Sequence, residues 1–299
     1  MEVQFKNDEE YFADTTHISN SMVSAYIKSP SYYKARYIDR LIDQKKTAPL
    51  IFGSAADCLL TEGEEVFNKT YSRKIEREGK LFKRSCRKKD DAATFLIETP
   101  LVESAKKFYD EETIDLKLQE GNFFKENILT PKVYDMVLHV TKRVKETMAF
   151  QWLIANEAQS QVVLTGEITT PDGPVKVKGK LDFLTIIGDT AYIDDYKTAQ
   201  NVSRNKYHWH CMEFGYYRAA WFYTQLVLQN YPEIKFIHFR HLVVTKTDWP
   251  EVATFTLNQA RIELQAPLII RALTRINNQD FTDPTVSWDT CEYIGEVEE

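Results

Sequence analysis

The 299 residues are 43% hydrophobic and 27% charged, with a formal net charge of −6. That is a globular composition with enough apolar material for a sizeable core, which excludes a disordered or fibrous chain. No apolar run is long enough to span a bilayer, and the first twenty residues are polar and acidic, so neither a membrane helix nor a secretory leader is expected. Cys58, Cys86, Cys211 and Cys291 are scattered without a CxxC pair. This argues against a disulfide framework or zinc ribbon and for a reducing cytoplasm. The acidic total disfavours nonspecific polyanion binding, although a local basic stripe matters more to such a partner than the total does.

In chain order, residues 1–17 read as a solvated or loosely docked arm. "ISNSMVSAYIKSPSYYKARYIDRLI" then has helical spacing, with Ser19 or Ser21 as N-cap and Ser29-Pro30 dividing it in two. "PLIFGSAADCLLTE" reads as a helix of small residues. A basic segment, 73–89, interleaves Lys80, Lys83, Arg84, Arg87, Lys88 and Lys89 with Phe82. Cations beside a stackable ring suit a nucleic-acid backbone track, whereas charge runs in general are solvated loops. "TPKVYDMVLHVTKRVKETM" predicts a helix capped by Thr130, with Pro131 in its first turn and Val133, Val137, Val140 and Val144 on one face.

From residue 160 the pattern changes to a strand meander, with turns at "PDGP" and Gly188-Asp189. A helical stretch, "YHWHCMEFGYYRAAWFYTQLVLQ", leads to the strand "KFIHFRHLVVT" and a last helix over about 256–276. The order is helices, three strands, helix, strand, helix, with no internal repeat.

The meander carries charges that a core-facing strand should avoid: Asp182 within one apolar run, and Asp194, Asp195 and Lys197 at the end of the next. A tight turn at Gly188 makes these strands antiparallel neighbours. Alternation puts Asp195 and Lys197 on one face and Asp194 on the other. Glu167, on the preceding strand, offers a third carboxylate to the same end of the sheet. Carboxylates converging beside a lysine suit a hard cation, Mg²⁺ or Mn²⁺, of the kind that activates water and steadies charge on a scissile phosphate. Taken singly, the same residues would read as a structural ion pair and a turn.

"GKLDFLTIIGDTAYIDDYKTA" resembles the PD-(D/E)XK nuclease motif, with Leu181 in place of the motif proline. "ISNSMVSAYIKSPSYYKAR", "FGSAADCLLTE", "LTGEITTPDGPVKVKGKLDFL" and "EFGYYRAAWFY" resemble, in family order, segments of the exonuclease VIII (RecE-like) and RecB-type phage and prophage branch. The resemblance covers about residues 18–62 and 160–245. It implies an α/β, restriction-endonuclease-like core with a central mixed sheet flanked by helices, plus N-terminal helical additions. The chain then divides into the arm and one nuclease domain, 18–299, with a mostly helical part to about 150 and a catalytic core over 160–276.

By this resemblance Asp182, Asp195, the Tyr196 carbonyl and Glu167 are metal ligands, and Lys197 aligns the attacking water. Two positions depart from the branch. Asp57 stands where it has a metal-binding histidine, and is either a fifth ligand or a half-buried helix residue. Arg218 stands at the motif glutamine, where it can bind a phosphate or the nucleotide end or be a plain surface cation. The motif tyrosine falls at Phe222 or Tyr223. No iron–sulfur cluster is expected, because only Cys291 lies late in the chain. His208 and His210 are expected to pack in or on their helix. The function implied is a metal-dependent DNA nuclease, an exonuclease more than an endonuclease, acting on duplex DNA with a free end in phage or bacterial recombination, repair or genome processing. A single-strand annealing protein and other copies of the chain are the implied partners. The alternative is a nuclease fold that binds DNA or a recombination partner without cutting.

Overall fold

Residues 8–42, 47–73 and 128–283 are described by the structure, a computed structural model. Helices α1 (Asp8–Ala13), α2 (Asn20–Lys28), α3 (Pro30–Tyr33), α4 (Ala48–Thr61) and α5 (Glu64–Thr70) come first, followed by α6 (Pro131–Lys145) and α7 (Met148–Ala155). Helices α8 (Arg204–Glu213) and α9 (Tyr216–Asn230) lie mid-chain, and α10 (Gln259–Glu263) and α11 (Ala266–Asn277) close the described part. The strands are β1 (Ile18–Ser19), β2 (Ser72–Arg73), β3 (Ile128–Leu129), β4 (Gln159–Thr170), β5 (Gly173–Ile187), β6 (Thr190–Ala199), β7 (Phe236–Thr245) and β8 (Val252–Thr256). β2 and β3 form a small parallel pair, and the other six make one mixed sheet.

β4, β5 and β6 are the predicted meander. Its turns fall at Gly173 and Gly188, whose φ of 114° and 60° lie where a side chain is disfavoured. β7 runs parallel to β6 and so needs a long crossover, which α8 and α9 supply; β8 returns antiparallel. On one sheet face α2, α9 and α11 bury Val177, Leu181, Ile193, Phe239 and Val243. On the other, α4, α6 and α7 cover Phe183, Tyr196, Leu242 and Val244. The result is an α/β sandwich with helices on both faces of a mixed sheet, as expected.

Local chemistry explains several boundaries. The Thr130 hydroxyl accepts the Val133 N–H at 3.3 Å, and Val137, Val140 and Val144 beyond it are fully buried. Ser19 rather than Ser21 caps α2, accepting the Met22 N–H at 3.4 Å. The stretch expected as one helix after residue 206 is two, because Gly215 takes a left-handed conformation (φ 67°) between α8 and α9. The last helix expected from 256 is also two, with Pro267 opening α11, and residues 252–256 form the edge strand β8 instead.

The described part of the arm is docked rather than loose. Tyr11 and His17 are buried, and the Lys178 ammonium donates to the Tyr11 and Asp14 carbonyls, the latter at 2.7 Å. A buried ammonium needs such acceptors, and the end of a short helix has carbonyls to spare.

One feature of the sheet positions the site. β4 runs along one edge of β5 from Gly173 to Leu184. The opposite edge is shared: β6 pairs with Phe183–Ile187, and β1 pairs only with Val177 and Lys178. Between those pairings, from Gly179 to Asp182, β5 and β6 diverge. Side-chain alternation breaks there too. Val177 and Leu181 belong to one core, Phe183 to the other and Leu184 to the first again. Across from the break, Gln161 adopts φ 54°, a strained value for a residue with a side chain.

Candidate functional site

Four expected side chains meet at this fork. Asp182 comes from the irregular turn of β5, Asp195 and Lys197 from β6 where it has left β5, and Asp57 from α4, which packs over both strands. Beyond the end of the β5–β6 register, the Tyr196 N–H donates to Asp182 Oδ2 at 2.7 Å. The carboxylate thus closes the strand gap. Lys197 pairs with the Asp195 carboxylate and donates to the Tyr196 carbonyl at 3.1 Å. The Tyr216 ring, at the start of α9, lies 5.5 Å from the ammonium.

The electrostatics are those of an unbalanced cluster. Burial first, then the neighbouring Asp57 and Asp195 carboxylates, push the Asp182 carboxyl well above its ordinary range, against the opposing pull of Lys197 and the Tyr196 N–H. Burial likewise raises Asp57 to about 6, with Lys197 pulling it down and Asp195 pushing it up. Burial alone would lower the Lys197 ammonium; Asp195 and Asp182 overcome it and hold the group above the usual lysine value. Lys197 acts on all three carboxylates and Lys180 on Asp57 as well, and the buried Asp57 Oδ1 has no hydrogen-bond partner.

Behind Asp195 stands His241, fully buried on β7 and in register with it. Its Nε2 lies 3.4 Å from Asp195 Oδ2 and its Nδ1 2.9 Å from the Tyr207 hydroxyl. Burial first lowers this imidazole to about 4, so it is neutral at neutral pH. Behind Asp57, the Gln161 amide donates to the Thr61 hydroxyl at 2.7 Å, and that hydroxyl donates to the Asp57 carbonyl at 2.8 Å. Sequence reasoning passed over His241, Tyr207 and Gln161. His241 becomes visible only once β6 and β7 are known to be parallel neighbours in that register.

Asp194 does turn to the other face. Its carboxylate takes a bidentate grip from Arg240, at 2.7 and 2.6 Å, and the guanidinium lies over Trp152 and Tyr192 at 4.3 and 4.7 Å.

Glu167 does not join the cluster. It is exposed, and it pairs in register with Lys176, six residues before Asp182, which is about 20 Å along the strand. Its backbone is tied to the Gln229 side chain, with no tie to any site residue. The hairpin is simply too long for its β4 glutamate to reach the fork.

Arg218 lies in the first turn of α9, half-buried, with its guanidinium packed over Gly215 and its Nε without a partner. Phe222 is fully buried, and Tyr223 stacks on Phe239. His208 bonds the Tyr217 hydroxyl at 3.3 Å, and His210 packs between Phe214 and Tyr216, so both serve packing. Of the basic segment only Arg73 is described, and it pairs with Asp135 at 2.9 Å. Lys80, Lys83, Arg84, Arg87, Lys88 and Lys89 lie outside the described residues.

Among the described residues no three His, Cys, Asp or Glu side chains already stand close enough to hold a metal. The donor set nevertheless fits a hard divalent cation. It is all oxygen, it carries excess negative charge, and Asp57 Oδ1 lacks a partner.

A mixed sheet between helical layers, with two acids and a lysine at a fork between adjacent strands, defines a PDDEXK-like fold. The chain belongs to the family described as PDDEXK-like domain of unknown function (DUF3799), whose pattern matches residues 19–296. Among solved structures it is similar to a protein from Eubacterium rectale described as a candidate exonuclease, at 15% identity and a TM-score of 0.59, over 99% of this chain and 96% of that one. The structure of SSO0001 aligns at 11% identity over 91% of this chain and 90% of that one, but with a TM-score of only 0.30. No curated protein matches the chain. No helix among the described residues is long and apolar enough to cross a membrane.

Proposed function

We propose that the chain is a metal-dependent deoxyribonuclease that hydrolyses phosphodiester bonds at the β5–β6 fork. The observation that carries this reading is the largely enclosed cluster of Asp57, Asp182 and Asp195 about Lys197, with Lys180 acting on Asp57 as well. Asp182, Asp195 and the Tyr196 carbonyl, with Asp57 from α4, are the groups that would hold Mg²⁺ or Mn²⁺. When bound, such a cation lowers the pKa of water and neutralises charge on the phosphoryl oxygens.

The chain's own residues supply the rest. In the metal-free cluster Lys197 is held as an ammonium by Asp195, and in that form it would orient the attacking water and stabilise anionic charge. Arg218, desolvated and with Nε unpaired at the start of α9, suits a phosphate or a nucleotide end. Glu167 has no part in this site. Because both helical layers pack on one sheet, residues 18–299 are read as one domain. Exonuclease action agrees with the description of the Eubacterium rectale protein, and duplex ends as its substrate rest on the motif resemblance. A role in phage or bacterial recombination, an annealing-protein partner and self-assembly rest on the motif resemblance.

The test is a time course on 5′- and 3′-labelled linear duplex beside a closed circle, with Mg²⁺ or Mn²⁺, using wild type, Asp195→Ala and Lys197→Ala. Loss of linear substrate in wild type alone supports the reading. A wild-type protein inert with both metals overturns it. A second reading, DNA binding without cleavage, is favoured by one observation: Lys197 already pairs with Asp195 and donates to the Tyr196 carbonyl. It predicts DNA affinity that survives both substitutions.

A further inference from the structure

We propose that His241, oriented by Tyr207, is a positioning residue that fixes the Asp195 carboxylate from the adjacent strand. The proposal rests on the reading of Asp195 as part of a metal-binding cluster, and it assigns the tautomer and orientation of a group that never touches substrate.

His241 sits in a box of rings. Tyr207, Tyr216 and Phe239 stand nearly perpendicular to it, at interplanar angles of 87°, 85° and 82° and centroid distances of 5.8, 5.1 and 5.7 Å. That packing fixes the imidazole plane. The Tyr207 hydroxyl then decides the proton. Tyr207 is itself buried, which keeps its O–H protonated, and the hydroxyl lies 2.9 Å from Nδ1. When it donates there, Nδ1 is the acceptor and the ring hydrogen is on Nε2, the nitrogen on the Asp195 side, 3.4 Å from Oδ2. The opposite tautomer would set the lone pair of a fully buried imidazole against a carboxylate, and is disfavoured.

Nε2 makes no formed hydrogen bond: at 3.4 Å its approach to Asp195 Oδ2 is a close polar contact, and that oxygen is paired with Lys197. The contact is long because Lys197 holds the same oxygen on its other side. Asp195 is thus set between a front partner, Lys197, and a rear partner, His241. A carboxylate supported from behind keeps one orientation while its front partner changes, which is what a ligand exchanging an ammonium for a cation requires.

The experiment uses the full chain labelled with ¹⁵N-histidine. In the metal-free protein, the His241 signals, assigned by their loss in His241→Gln, should report hydrogen on Nε2, and Tyr207→Phe should convert them to a tautomer mixture. Hydrogen on Nδ1 in wild type overturns the proposal. In parallel, Mn²⁺ affinity is measured by calorimetry. Tyr207→Phe and His241→Ala should weaken it ~10–100-fold, with His241→Gln, whose amide can still donate, recovering part of the loss. Unchanged Mn²⁺ affinity in Tyr207→Phe or His241→Ala, with a wild-type melting curve, also overturns it. A wild type that takes up no Mn²⁺ removes the metal reading instead, and the ¹⁵N signals still decide whether His241 faces Asp195 as a donor.

Discussion

Asp194 and Asp195 are adjacent on β6, both are buried and each has a basic partner, yet their environments have opposite character. On one face, Asp194 spends both oxygens on the Arg240 fork, which two aromatic rings cover. On the other, Asp195 shares a lysine with a backbone carbonyl and faces two further carboxylates. The first pair is complete and the second is not. A buried pair with every group satisfied holds structure, whereas one with surplus charge is poised to take up a ligand.

The sharpest test of this contrast is Asp194→Ala. It leaves Arg240 buried without a partner and should cost ~3–5 kcal/mol of stability, read from denaturant melts, while the activity of the folded fraction persists. A stable variant would show that the closed pair is dispensable. Asp195→Asn should do the reverse. Activity on labelled duplex should fall by more than the ~100-fold that a supporting group costs. Its melting point should barely move, because losing the Lys197 pairing is offset by relief of repulsion from Asp57 and Asp182.

The third effect is pH-dependent. Asp57 titrates at about 6 in the folded chain, above its ordinary value of 3.8, so the folded state binds more protons between these values. Stability contributed by this group is therefore full below pH ~4 and is lost as pH rises towards 6. Asp57→Asn should remove that slope and melt higher than wild type at pH 7, by an amount on the order of 1–3 kcal/mol. Mn²⁺ added to wild type should flatten the same slope, and a slope unchanged by the substitution would remove Asp57 from the cluster. The smallest effect belongs to Glu167→Ala, which should cut DNA at the wild-type rate. A large loss there would mean that the hairpin bends its far end to the fork.

Much of this arrangement was legible because short-range rules govern it. Alternation along β6 separated Asp194 from Asp195, Gly188 set the hairpin, and Thr130-Pro131 marked the start of α6. Register and long-range pairing were not legible. Glu167 was placed by the identity of its strand, but only the pairing with Lys176 gives its distance from Asp182. His241 lies 46 positions beyond Asp195 and meets it because two parallel strands align. The divergence of β5 from β6, with strained Gln161 opposite Asp182, follows from packing between two cores and leaves no local pattern. Two-residue β1 carries too short a signal to read as a strand at all.

β1 also sets a timetable. Ile18 and Ser19 pair with Val177 and Lys178, and the carbonyls at the end of α1 wait for the Lys178 ammonium. During synthesis, these residues have no docking place until about 160 more have been added. At ordinary elongation rates this is a delay of roughly 10–30 s. Helix α1 is thus made well before the strand that seats it. A stalled ribosome or an early truncation would leave its apolar face, including Tyr11, open to chaperones.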